Sequence, residues 1–322
     1  MGSYNSEIAD EVPPYLRVYK DGTVERLLGT EVTPAAFDSK TGVSSKDIIV
    51  IPEAGVTARL YRPNLVTKTQ RLPLLVYFHG GAFCISSPSD PKYHNCLNLL
   101  VAEAKIIAVS VDYRLVPEHP LPAAYEDSWA VLKWVASHIS GEGSEDWLRE
   151  CVDFSKVFLA GDSAGANLSH HMAIRAGYAD PPRIGGLKLR GTIMIHPYFW
   201  GEDPIGIEAK DPVRKGMVDK WWQFVCPSGK GCDDPLINPF VDGGAESLSR
   251  LACDFIIIFV AQNDILADRG RRYYEFLAKS KWQGKAEMVE TPGEDHVFHI
   301  FNPCSDKARM LIKRCASFIN QV

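Results

Sequence analysis

Gly161-Asp162-Ser163-Ala164-Gly165 is the stretch whose reading decides the fold of this chain. Ahead of it, Lys156-Val157-Phe158-Leu159-Ala160 is a short apolar run of the kind that forms a buried strand. After it, Ala166-Asn167-Leu168-Ser169-His170-His171-Met172-Ala173-Ile174 has the pattern of a helix. A serine between a strand and a helix sits on a tight turn that strains its backbone and lifts its hydroxyl clear of the sheet. Side chains two residues to either side would collide, which accounts for Gly161 and Gly165.

Outward from this turn, strands and helices alternate. Strands are expected at 73–78, 106–112, 156–160, 190–196, 254–261 and 286–290. Helices are expected at about 91–104, 123–139, 164–176, 268–280 and 304–319. Phe255-Ile256-Ile257-Ile258-Phe259-Val260 lacks polar alternation, as a parallel strand covered on both faces does. The front of the chain differs: residues 16–28 form two short runs around Asp21-Gly22, a hairpin signal, with further strands at 45–51 and 56–61. Residues 200–250 interrupt the alternation with Trp221-Trp222 and a Gly/Pro/Asp-rich loop, where an inserted lid would sit. The expectation is one α/β domain over 1–322, a mostly parallel sheet flanked by helices, with cap elements at about 1–40 and 200–250.

The 322 residues are 46% hydrophobic and 23% charged, ordinary values for a globular protein. A net charge of -5 without a dense basic run argues against nucleic acid. No basic start, apolar leader or membrane-length apolar run is visible, so a cytoplasmic protein with no membrane partner is expected. Gly2 and Ser6 match the myristoylation pattern only by chance, since acidic residues follow. The eight cysteines have no metal-ligand spacing and read as reduced core thiols; no metal is expected.

A serine becomes a nucleophile when a base takes its proton and a carboxylate orients the base. Asp264 lies in the loop at the carboxyl end of strand 254–261, the edge where parallel sheets build sites, while Asp268 reads as the cap of the next helix. His296 is in the middle of the turn-rich loop after strand 286–290; its rival His299 enters an apolar segment and reads as packing. The chain order Ser163, Asp264, His296 is that of α/β-hydrolases. His79-Gly80-Gly81-Ala82-Phe83 follows strand 73–78 directly, so Gly80, Gly81 and the amide of Ala164 are the expected oxyanion donors.

His79-Gly80-Gly81-Ala82, Asp112-Tyr113-Arg114-Leu115-Val116-Pro117-Glu118, Gly161–Asn167 and Asp295–His299 together resemble the plant carboxylesterases of the hormone-sensitive-lipase-like group, near the 2-hydroxyisoflavanone dehydratase-like members. The resemblance covers nearly the whole chain. It implies an α/β-hydrolase fold, an N-terminal cap and hydrolysis of small esters without a cofactor. Ala82 stands where the commoner form has a third glycine, and Val116 where it has alanine. Arg114 and Glu118 read as internal supports beneath the oxyanion loop. Dehydratases of the group carry threonine at the nucleophile position, its gibberellin receptor lacks the catalytic histidine, and its alkaloid cyclases have tyrosine there. Ser163 and His296 therefore favour a short-acyl esterase, with a dehydratase-like lyase as the alternative and a hormone receptor behind it. Phe83, Trp221 and Trp222 are the candidates for an apolar substrate wall, with packing of the insertion onto the core the plainer role for the tryptophans. The expected partner is a small ester, bound by a monomer or weak homodimer.

Overall fold

The computed structural model describes residues 7–64, 70–179, 183–241 and 243–322; Gly2 lies outside them. β1 (Ile8–Val12), β2 (Leu16–Tyr19) and β3 (Val24–Arg26) form a small antiparallel sheet. β2 and β3 are the two arms of the expected Asp-Gly hairpin; β1, too polar to read from sequence, adds to its edge. The main sheet contains β4 (Phe37–Asp38), β5 (Val43–Ile51), β6 (Val56–Pro63), β7 (Leu72–Phe78), β8 (Ile107–Asp112) and β9 (Val152–Asp162). It continues with β10 (Leu189–Ile195), β11 (Phe255–Ala261) and β12 (Lys285–Thr291). The order is β12-β11-β10-β9-β7-β8-β6-β5-β4, parallel from β12 to β8 and antiparallel from there on.

Alternate residues of the parallel strands feed two cores. Ile256, Ile258 and Val260 join Leu132, Leu168, Met172 and Leu277 on one face. Ile257 and Phe259 join Leu97, Leu311, Ile312 and Phe318 on the other. Both faces are covered, so both sets of side chains are apolar, which is why β11 shows no polar alternation. The helix Pro91–Ala104 begins with Asp90 accepting from the Lys92 amide and proline in its first turn. The C-terminal helix Asp306–Gln321 is capped by Ser305. The helix Ala267–Lys279 departs from expectation: it has no side-chain cap, and Asp268 instead accepts from the Ile207 amide and pairs with Arg271.

The register aligns the carboxyl ends of neighbouring strands. Phe78 of β7 pairs Gly161 of β9, Ile195 of β10 pairs Asp162 and Phe259, and Ala261 of β11 pairs Thr291 of β12. The loops after β7, β9, β10, β11 and β12 thus leave the sheet along one edge. Over that edge lie the N-terminal sheet and the helix Pro212–Val225, joined by an edge-on contact of Tyr15 with Trp221 at 4.6 Å. Trp200, at the start of the 200–250 segment, is fully buried and donates its indole N–H to Asp219 of that helix.

Candidate active site

Ser163 begins the helix Ala164–Gly177 with φ 52° and ψ −118°, a backbone that L residues rarely adopt. A Cβ on Gly165 would overlap the Phe78 carbonyl, and one on Gly161 would overlap the Gly165 backbone. No other residue fits at either position. The strained turn presents Ser163 Oγ to His296 Nε2 at 2.9 Å. His296 Nδ1 lies 2.7 Å from Asp264 Oδ2, and the other carboxylate oxygen accepts the Leu266 amide at 2.9 Å. Asp264 is fully buried and His296 part-exposed, so the relay runs from the core to a cavity. Burial on its own would depress the His296 pKa, but the charge and hydrogen bond of Asp264 outweigh it and raise the pKa above the ordinary histidine value. His299 is fully buried three residues on, against His196. The structure thus brings Ser163, Asp264 and His296 together and leaves His299 in the core.

The glycine loop needs one correction. Gly80 does not face the serine: its N–H donates to the Tyr93 hydroxyl at 2.9 Å. That hydroxyl in turn donates to Asp162 at 2.8 Å, and Tyr77 donates to the other oxygen of the same carboxylate at 2.7 Å. A Cβ on Gly80 would overlap the Asp162 carboxylate, so the glycine is there to let Asp162 in. Burial pushes Asp162 up to about 6, and the two phenols restrain the rise. Among the described residues none accepts from the amides of Gly81, Ala82 or Ala164. Gly81 and Ala82 have φ of 102° and 50°, and Ala82 lines the cavity together with Ser163 and His296. Ala82, in place of the third glycine, thus has an N–H without an acceptor among the described residues, whereas that of Gly80, an expected oxyanion donor, is taken by Tyr93. Nothing in the sequence near position 80 reveals Tyr93, which arrives from the next helix.

Arg114 and Glu118 do not pair with each other. Arg114 holds Asp127 through both its guanidinium and its backbone amide, and Glu118 receives the guanidinium of Arg26. Arg26 also donates to the carbonyls of Cys84 and Val116, tying β3 to the segment behind the glycine loop. His79 stacks on Tyr113, whose hydroxyl donates to the His79 carbonyl at 2.7 Å.

The cavity has two chambers that meet at Tyr15, Ala82, Ser163, Trp221 and His296. The larger, of about 220 Å³, adds Tyr198, Arg214, Met217, Val218, Ile265 and Leu266. The smaller, of about 110 Å³, includes Leu28, Ile85, Val297 and Phe301. Of the expected wall residues, Trp221 alone lines it. Phe83 is fully buried against Tyr125, Tyr198 and Trp222, because its left-handed backbone turns the ring inward. Trp222 is buried as well, donating its indole N–H to the Gly231 carbonyl. Tyr15 and Arg214 were not foreseen: neither stands in a motif, and both reach the site only through the way the cap folds over it. His196, Asp264 and His296 offer ligand atoms within 4.8 Å of one another; His296 Nδ1 is bonded to Asp264 and His196 Nδ1 accepts the Val297 amide. No helix among the described residues is long and apolar enough to cross a membrane.

Residues 75–300 match a family model described as alpha/beta hydrolase fold. Probable carboxylesterase 2 from Arabidopsis thaliana is 54% identical over 322 residues, covering 100% of this chain and 99% of the relative. A 2-hydroxyisoflavanone dehydratase from Glycyrrhiza echinata is 44% identical, covering 98% of this chain and 97% of that enzyme. Among solved structures, an esterase from Pyrobaculum calidifontis superposes with a TM-score of 0.71 at 28% identity, over 86% of this chain and 84% of that one. Strand order, serine turn and these likenesses lead to one assignment: the chain belongs to the α/β-hydrolase family, within its plant carboxylesterases.

Proposed function

We propose that the chain hydrolyses small carboxylic esters through an acyl-enzyme on Ser163. The observation that carries this is the unbroken relay of 2.9 and 2.7 Å from a strained serine to a buried carboxylate. His296 Nε2 takes the Ser163 proton while Asp264 holds the Nδ1–H tautomer. Oγ attacks the ester carbonyl, and the amides of Gly81, Ala82 and Ala164 receive the negative charge on its oxygen. A well-placed donor of this kind contributes roughly 3 kcal/mol or more to the transition state. His296 then gives its proton to the departing alcohol. In the second half-reaction it takes a proton from water, whose oxygen attacks the acyl carbonyl, and returns that proton to Ser163 Oγ as the acid leaves.

The N-terminal sheet and the helix Pro212–Val225 act as the cap that shields this chemistry from bulk water. Chamber size supports a division of the substrate. An apolar cavity of roughly 150 Å³ holds a benzene ring. The smaller chamber, at about 110 Å³, suits a group below that size, a short acyl chain. The larger, at about 220 Å³ and walled by Tyr15, Tyr198 and Trp221, accepts a ring. The preferred substrate on this reading is a short-acyl ester of a bulkier alcohol. Purified Ser163→Ala should lose p-nitrophenyl acetate hydrolysis; turnover at the wild-type rate by that variant contradicts the assignment.

A further inference from the structure

His196 has no part in the relay, yet it touches the loop that carries the catalytic histidine. It follows β10 directly, is about 1% exposed and has a left-handed backbone at φ 46°. Its amide donates to the Phe259 carbonyl, which fixes it beside β11. Its Nδ1 accepts the Val297 N–H at 2.8 Å. Val297, the residue next to His296, is itself left-handed, with φ 44° and ψ 36°. A β-branched residue avoids that conformation, so something must hold it there. The imidazole of His196 is the side-chain acceptor that engages this turn, beside the Ile300 amide donated to the Val297 carbonyl. The same strand end touches the serine turn: the Ser163 amide donates to Ile195 and the Tyr198 amide to the Ser163 carbonyl.

We propose that His196 is a positioning residue, its Nδ1 lone pair fixing the turn at Val297 and with it the aim of His296 at Ser163. Acceptance at Nδ1 places the ring proton on Nε2, so the residue works as a neutral imidazole. Its surroundings keep it neutral. The aromatic and imidazole rings of Phe298, His296 and His299 pack around it at centroid distances of 5.6, 5.9 and 5.8 Å. Burial and the two neighbouring histidines hold its pKa well below the ordinary value.

This inference rests on the relay proposed above, and the test separates the two. His196→Leu removes the acceptor, whereas His196→Asn returns an amide oxygen near the Nδ1 position. An unpaired buried N–H in this turn predicts that His196→Leu loses about tenfold to a hundredfold in kcat with KM little changed. His196→Asn should recover most of the loss, and thermal unfolding shows whether both variants are folded. Wild-type kcat in His196→Leu overturns the proposal. An equal fall in both variants, each folded, overturns it too, since the acceptor would then not be what matters. In either of those cases, covalent labelling of Ser163 in the wild type by an organophosphate leaves the relay standing and removes only the role of His196.

Discussion

Tyr93→Phe deletes one oxygen atom and keeps the ring, which is 4% exposed in a core of Tyr77, Leu97 and Ala160. Two hydrogen bonds go with it: the one accepted from Gly80 at 2.9 Å and the one donated to Asp162 at 2.8 Å. The stranded Gly80 N–H costs about 1–3 kcal/mol, and the lost bond to an ionised carboxylate about 1.5–3 kcal/mol. At pH 8, where Asp162 is ionised, the variant should therefore unfold with about 3–5 kcal/mol less free energy than the wild type. The loss has a defined pH dependence. Asp162 titrates near 6 in the fold against a reference of 3.8, so the folded state binds the extra proton between these values. The stability this proton confers is complete below the unfolded value and disappears as pH rises through the folded one. Without the Tyr93 donor the folded pKa rises further, and a protonated Asp162 needs the phenol less. The stability gap between variant and wild type should shrink at pH 5. Catalysis should suffer through the glycine loop: Gly81 and Ala82 lose the anchor beside them, while the Tyr113 bond to the His79 carbonyl stays. Partial loss of oxyanion donors predicts about a tenfold fall in kcat. Urea unfolding at both pH values and steady-state kinetics on p-nitrophenyl acetate measure these effects. Wild-type kcat together with a stability gap independent of pH would refute the reasoning.

Only neutral His296 can accept the serine proton, so kcat/KM should rise with pH through a midpoint above 6.5. Asp264→Asn should cost about 10⁴ in kcat by releasing the tautomer, and a pH–rate profile should move its midpoint downward, because burial is no longer opposed by a carboxylate. Gly165→Ala drives a methyl into the Phe78 carbonyl, and thermal denaturation should register a loss of about 3 kcal/mol or more, together with lost activity. Trp221→Ala removes the wall shared by the two chambers, so an acyl series from acetate to octanoate should shift toward longer chains by about fourfold per accommodated methylene.

The parts of this molecule written in local sequence were readable from it. The run from β7 to β12 has strong apolar periods and clear breaks, and the serine turn needs glycines that only one geometry explains. Asp264 and His296 followed because each stands just past a strand end, and parallel strands align those ends. What escaped depends on contacts between distant segments. The donor role proposed for Ala82 follows from the Tyr93 hydroxyl occupying the Gly80 amide, and Tyr93 comes from a helix whose sequence marks it merely as core. Phe83 and Trp222 look like substrate contacts by composition, yet left-handed backbone at one and the orientation of a helix at the other turn both inward. Tyr15 belongs to a hairpin too short to predict its own docking. His196 gave no signal, since a buried histidine after a strand has the same sequence signature whether or not it meets another loop.

The acyl-enzyme on Ser163 is the claim on which the account stands, and covalent labelling tests it most directly. Incubation with diethyl p-nitrophenyl phosphate, followed by intact-mass and peptide mass spectrometry, should show one diethylphosphoryl group per chain. That group should lie on Ser163 and be absent from Ser163→Ala. Inhibition without an adduct on Ser163, or an undiminished adduct in Ser163→Ala, would contradict it.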